Sequence, residues 1–159
     1  MDYSNDQVRR QDRLLEETEA RRLLGEGEYG FLAMQAGEGG YGIPVSYVWD
    51  GDEHIYIHCA PQGRKLRCID TCPKVSFCVV GHTQVIPERF TTAYESVVAE
   101  GIAHRNLTAD ERMHALGLLI DKYSPNEKEI GLKYAEKSFH RTEIIRIDIV
   151  SCSGKCKIG

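Results

Sequence analysis

Strand-like runs recur along almost the whole chain, with little helix between them. Alternating or β-branched stretches at 29–35, 41–49, 54–59, 74–80, 93–105 and 142–151 each have the length and period of a strand. Turn chemistry separates several of them. Gly37-Glu-Gly-Gly40 predicts a tight turn, and Asp50-Gly51-Asp52 a hairpin, because Asp-Gly accepts the positive φ values of a type I′ turn. The first three runs therefore predict an antiparallel meander. Six strands with few intervening helices predict an α+β, mainly β fold, a small antiparallel barrel or curved sheet whose closure removes exposed edges.

Helices are expected in four places. A short one begins at Thr18 or Glu19, with Ala20, Leu23 and Leu24 on one side. A one- to two-turn helix covers 64–71 and is stopped by Pro73. Thr108-Ala-Asp-Glu111 has the form of a capping box and opens a helix to about Lys122. A last short helix is expected over 129–137. Residues 1–15 read as a polar arm on one domain spanning 1–159.

Composition narrows the function classes. Twenty Lys and Arg against 24 Asp and Glu give a net charge of −4, which disfavours nonspecific nucleic-acid binding and leaves room for a local basic pocket. No stretch reaches the ~18 apolar residues of a spanning helix, and the charged N-terminus has no apolar core, so a cytoplasmic protein without a membrane anchor is expected. The six cysteines sit in apolar surroundings such as Ser76-Phe-Cys-Val79, which favours free thiols over disulfides. Cys68/Cys72 and Cys152/Cys156 are spaced more widely than zinc knuckles, so structural thiols are favoured and no metal site is expected. The terminal pair is open to two readings, a mobile redox pair or an accident of composition. There is no Walker P-loop and no Gly-x-Gly-x-x-Gly.

Chemistry concentrates in His54-Ile-Tyr-Ile-His-Cys-Ala-Pro-Gln-Gly-Arg-Lys-Leu66. Alternation puts Ile55, Ile57 and Cys59 on an interior face and Tyr56 and His58 on the other, with His58 near the strand end. Gly63 then permits a tight turn, and Arg64-Lys65 open a helix. Two cations at a helix start make a phosphate cradle; the competing interpretation is a solvated basic turn beside a half-buried histidine. In Gly42-Ile-Pro-Val-Ser-Tyr47, Pro44 demands an edge, a bulge or incomplete pairing. Free backbone groups beside Val45 and Ser46 could bond a planar polar ring, or the segment is a simple edge strand. Tyr56, His82, His104 and His140 have no motif around them and read as core or surface residues.

Those stretches, together with Val8-Arg-Arg-Gln-Asp-Arg13, Lys74-Val-Ser-Phe-Cys-Val-Val80, Phe90-Thr-Thr-Ala-Tyr-Glu-Ser-Val-Val98 and Asp121-Lys-Tyr-Ser-Pro125, resemble in order and spacing the nitroimidazole-resistance (Nim) proteins. These lie within the pyridoxamine 5′-phosphate oxidase-like, FMN-binding split-barrel superfamily. The resemblance covers residues 8–149. It implies a six-stranded antiparallel split barrel with a few short helices, forming a homodimer with two flavin sites between protomers. It implies that Pro44, Val45, Ser46 and Tyr47 offer backbone contacts to the flavin ring, that Cys59 and Ala60 lie beside ring and ribityl chain, and that Gly63, Arg64 and Lys65 hold the phosphate. His58 matches the family's active-site histidine. Residues 90–96 are implied as contacts from one protomer or the other. Two departures stand out: Cys59 replaces a small hydroxyl residue, and the tail 151–159 has no family role. The resemblance implies a flavin-dependent reductase of small oxidised substrates, nitroaromatics among them, with FMN or FAD as cofactor. The alternative is a flavin- or haem-binding protein that stores or senses without efficient turnover; pyridoxamine-phosphate oxidation is a third and weaker reading.

Overall fold

The structure, a computed structural model, describes residues 1–37 and 39–159. Its elements are β1 (Asp2–Tyr3), α1 (Glu17–Glu26), β2 (Gly30–Ala36), β3 (Gly39–Val45), β4 (Val48–Trp49), β5 (His54–Cys59), α2 (Arg64–Thr71), β6 (Lys74–Ile86), β7 (Thr91–His104), α3 (Ala109–Tyr123), α4 (Lys128–Ser138) and β8 (Glu143–Lys157). The sheet runs β3-β2-β6-β7-β8-β5-β4, and β1 adds in parallel to β8. β3 and β4 end the path yet are joined in the chain by Ser46-Tyr47, so the sheet curls back on itself. The six long strands are the six expected from the pattern. The turn expected over 37–40 includes Glu38, which lies outside the described residues.

The expected three-strand meander is corrected. β3 pairs only with β2, Gly30 opposite Val45, while β4 pairs with β5, Val48 opposite Tyr56. The run 41–49 is thus split at Ser46-Tyr47. The cause is Tyr47, whose side chain is fully buried and donates its hydroxyl to Leu24 O at 2.6 Å. β3 is an edge strand, as Pro44 requires, and Pro44 sits opposite Phe31.

Two long strands exceed their expected bounds. β6 continues through Gly81-His82-Thr83 to Ile86 by shifting register between Val80 and Thr83, so a sequence that looks like a breaker is absorbed as a bulge. β8 continues to Lys157, with Tyr94 of β7 opposite Lys157. The terminal cysteines therefore lie in a paired strand and not on a mobile tail. Cys152 is buried, and burial pushes its thiol up to about 11. All six cysteines are free.

The N-terminal segment, expected as a polar arm, is held against β8. Leu15 N–H donates to Gly154 O at 3.1 Å, and Gly154 N–H donates to Asn5 Oδ1 at 2.9 Å. Tyr3 donates its hydroxyl to Leu15 O at 2.6 Å, and Leu15 is buried. Backbone bonding to β8 pins a segment whose few apolar residues are too sparse to show a period.

The barrel interior holds Leu24, Leu32, Tyr47, Ile55, Ile57, Phe77, Val79, Val97, Ile145 and Ile147. A second cluster lies outside the barrel, where α3 and α4 cover Val48, Tyr56 and Ile144. Both faces of β5 are therefore buried up to Ile57. One close approach is glycine-dependent. A Cβ on Gly101, at the β7–β8 bulge, would stand 2.6 Å from Asp148 O. Backbone cannot yield cheaply, so Gly101→Ala is expected to cost about 1–3 kcal/mol. A thermal melt checks this: a midpoint lower by several degrees is expected, and an unchanged one would contradict the packing argument.

Candidate functional site

The outer face of β5 carries Tyr56 and then His58. Tyr56 lies under α3, and its hydroxyl contacts Glu111 Oε1 at 3.3 Å. The Thr108 hydroxyl caps α3 by accepting from Glu111 N–H, but the Glu111 carboxylate does not complete the capping box. It turns instead to Arg146, 2.7 Å away. α3 thus covers Tyr56 and leaves His58 exposed.

Directly after β5 the chain turns at Gly63, whose φ of 145° favours glycine, and enters α2. Among the described residues no side chain caps this helix start, and its first turn holds no acidic residue. Arg64 is exposed, with its guanidinium carbon 4.2 Å from the centre of the Tyr41 ring. That stacking braces the α2 cation against β3. Lys65 is half-buried, and its charge reaches both His58 and Cys59. Among the described residues neither Arg64 nor Lys65 forms an ion pair. Unbonded N–H groups and two unneutralised cations therefore meet at one helix start, the donor set an anion such as a phosphate needs.

The second wall is the β3–β4 corner. The antiparallel register of Val48 on Tyr56, continued by two residues, brings Ser46 toward His58, and both line one cavity. Pro44 and Ser46 are exposed and Val45 half-buried. Tyr47 is different. Its side chain is in the core, and its N–H (3.0 Å) and C=O (2.9 Å) both engage the Tyr123 hydroxyl. Cys59 is half-buried against the core, and Ala60 is exposed at the strand end. The structure thus brings His58 and Ser46 to one cavity and places Arg64 and Lys65 at the start of α2, just after β5.

Two electrostatic effects mark the site. Desolvation, and then the Lys65 charge, lower the His58 pKa below the usual imidazole value. Burial pushes the Cys59 thiol up, partly offset by Lys65. At the α3 end, burial lowers Lys122 to about 8, and its Nζ lies 3.8 Å from the Tyr47 ring centre without a hydrogen-bond partner among the described residues.

Sequence reasoning missed Tyr123 and Tyr41. The Tyr123 hydroxyl also lies 2.6 Å from Glu28 O, so one O–H proton serves two carbonyls while its oxygen accepts from Tyr47 N–H. Nothing local in Asp121-Lys-Tyr-Ser-Pro125 announces a partner so far back in the chain. Tyr123→Phe is expected to cost about 1–3 kcal/mol by stranding these groups. Denaturant unfolding measures the loss, and faster amide exchange at Tyr47 would locate it. Wild-type stability in the variant would contradict the bracing role.

The family model described as pyridoxamine 5′-phosphate oxidase matches residues 16–156. The chain belongs to that family. Its fold is shared by solved structures of low identity. A candidate 5-nitroimidazole antibiotic resistance protein from Bacteroides thetaiotaomicron is 14% identical with a TM-score of 0.73, over 91% of this chain and 86% of that one. A FAD-binding protein from Mesorhizobium loti is 23% identical with a TM-score of 0.65, over 92% and 97%. A FAD and haem binding protein from Mycobacterium smegmatis is 16% identical with a TM-score of 0.74, over 92% and 74%. Among curated proteins none matches the sequence. Among the described residues no helix is long and apolar enough to cross a membrane, and no cluster of three or more His, Cys, Asp or Glu is arranged to hold a metal ion.

Proposed function

We propose that the protein is a flavin-dependent oxidoreductase that reduces small oxidised molecules, nitroaromatics among them. The observation that carries this is the junction of β5 and α2. An exposed histidine stands one residue before the end of the strand, and a helix start whose two cations form no ion pair among the described residues follows it. The residues fit a flavin: Arg64 and Lys65 suit its phosphate, and the β3 edge at Pro44 and Val45, with Ser46 in the corner that follows, suits the ring. FMN and FAD both present a phosphate to such a cradle. The names of the Bacteroides and Mesorhizobium proteins point the same way.

When bound, the flavin supplies the electron pair for reduction. The chain's own residues do the rest. Arg64, held over Tyr41, and Lys65 bind the phosphate. The β3 backbone orients the ring. His58 donates a hydrogen bond or a proton from an imidazole N–H to an oxygen of the substrate. Arg64 and Lys65 take no part in proton transfer.

The working unit in this proposal is a homodimer with flavin between protomers. Its support is uncovered apolar surface: Phe31, Val80, Val85 and Val150 on the strands and Phe90 beyond them are all exposed. Phe90, 98% exposed at the tip of the β6–β7 hairpin, is placed to reach a second copy.

Anaerobic reduction of a nitroaromatic by the flavin-loaded protein, with NADH or NADPH as donor, tests the activity. Consumption of the nitro compound in step with the donor is expected. Flavin bound without turnover by either donor would overturn the reductase and leave the binding-protein alternative. A haem form of that alternative draws on one feature, an exposed imidazole whose neutral, iron-ligating form is favoured by desolvation and by the Lys65 charge.

A further inference from the structure

Ile130 and Tyr134 of α4 are 66% and 65% exposed, yet they lie on the same helical stripe as buried Ala135 and Ser138. A stripe at this spacing ordinarily faces a core. Here its C-terminal end does, while its N-terminal part borders a cavity of about 490 Å³. α3 supplies the facing stripe of Leu119, Ile120 and Tyr123, while Ser46 comes from the β3–β4 corner and His58 from β5. The volume falls in the range of small-molecule pockets, roughly 300–1,000 Å³.

The lining states what could enter. Its walls are aliphatic, with two tyrosine rings available for stacking. Hydroxyls and the His58 imidazole provide polar contacts. Among the described residues Glu127 is its one carboxylate, and neither Lys nor Arg lines it. An anionic ring entering here would lose hydration without gaining a cationic partner in the wall.

We propose that this cavity is the acceptor pocket, and that it selects a neutral, largely apolar planar ring whose polar oxidised group turns toward His58 and Ser46. The role of acceptor rests on the flavin-dependent function proposed above; the preference for a neutral ring follows from the lining alone. Selectivity then resides in α3 and α4. Tyr134 supplies a stacking face, and Glu127 repels anions.

The test is NMR titration of the protein as purified, its flavin content recorded from its absorption spectrum, with nitrobenzene and 4-nitrobenzoate as probes. Nitrobenzene is expected to shift the methyl signals of Ile120 and Ile130 and to bind about tenfold more tightly than 4-nitrobenzoate. Tyr134→Ala, a surface change, is expected to weaken nitrobenzene about fivefold. Glu127→Gln is expected to narrow the gap between the probes about threefold. Shifts located elsewhere, or equal affinity for both probes, would overturn the pocket. The two proposals fail separately: protein without flavin that still shows these shifts keeps the cavity's preference and loses the reductase, while flavin-bearing protein without them keeps the cofactor site and loses the pocket.

Discussion

Lys65→Ala is expected to weaken flavin binding by about 10- to 100-fold. A charge-assisted hydrogen bond to an anion contributes roughly 1.5–3 kcal/mol, and each 1.4 kcal/mol is a factor of ten. Lys65 is half-buried, so solvent screens it less than a surface lysine, and no carboxylate competes for it among the described residues. Arg64→Ala is expected to act in the same direction. Arg64→Lys should not restore full affinity, because an ammonium lacks the planar fork and stacks less well on Tyr41. Quenching of flavin fluorescence in a titration at two salt concentrations measures all three variants. Wild-type affinity in Lys65→Ala would remove the cradle from α2.

The second large effect belongs to His58. His58→Ala is expected to keep flavin affinity within about twofold and to lower turnover by about 10²–10⁴, the range of a lost general acid. The pH dependence has a definite sign. Desolvation and the Lys65 charge both disfavour the imidazolium, so the folded-state pKa lies below 6.5. If proton donation limits the rate, turnover rises as pH falls through a midpoint displaced below the ordinary imidazole value and declines as pH rises above it. Removing the Lys65 charge moves that midpoint upward, at saturating flavin. His58→Gln keeps a hydrogen-bond donor but cannot titrate, so it should retain part of the rate and lose the acid limb. Unchanged turnover in His58→Ala would exclude the residue from the chemistry.

What the sequence made legible follows from the range of the forces involved. Period-two alternation in His54–Cys59 is a local signal, and it placed Ile55 and Ile57 inside and His58 outside correctly. Gly63 before Arg64-Lys65 is also local, and the turn and helix formed there as expected. The failures are all at a distance. No local rule shows that Tyr123 will grip the backbone of Tyr47, so the break between β3 and β4 was invisible, and with it the corner that presents Ser46. No propensity supports Ser-Cys-Ser-Gly-Lys-Cys-Lys157 as a strand; pairing with β7 on one side and the N-terminal segment on the other holds it. The α3–α4 cavity was missed because the Ile130/Tyr134 stripe, read alone, is an ordinary core-facing pattern.

The central claim is that the β5–α2 junction holds a flavin. The absorption spectrum of the freshly purified protein, followed by chromatography of the released ligand, tests it most directly. The account predicts the two broad bands of an oxidised flavin and release of FMN or FAD, both diminished in Lys65→Ala. A sharp Soret band that persists in Lys65→Ala and disappears in His58→Ala would contradict it, since His58 would then be an iron ligand and the cations of α2 would hold no flavin phosphate.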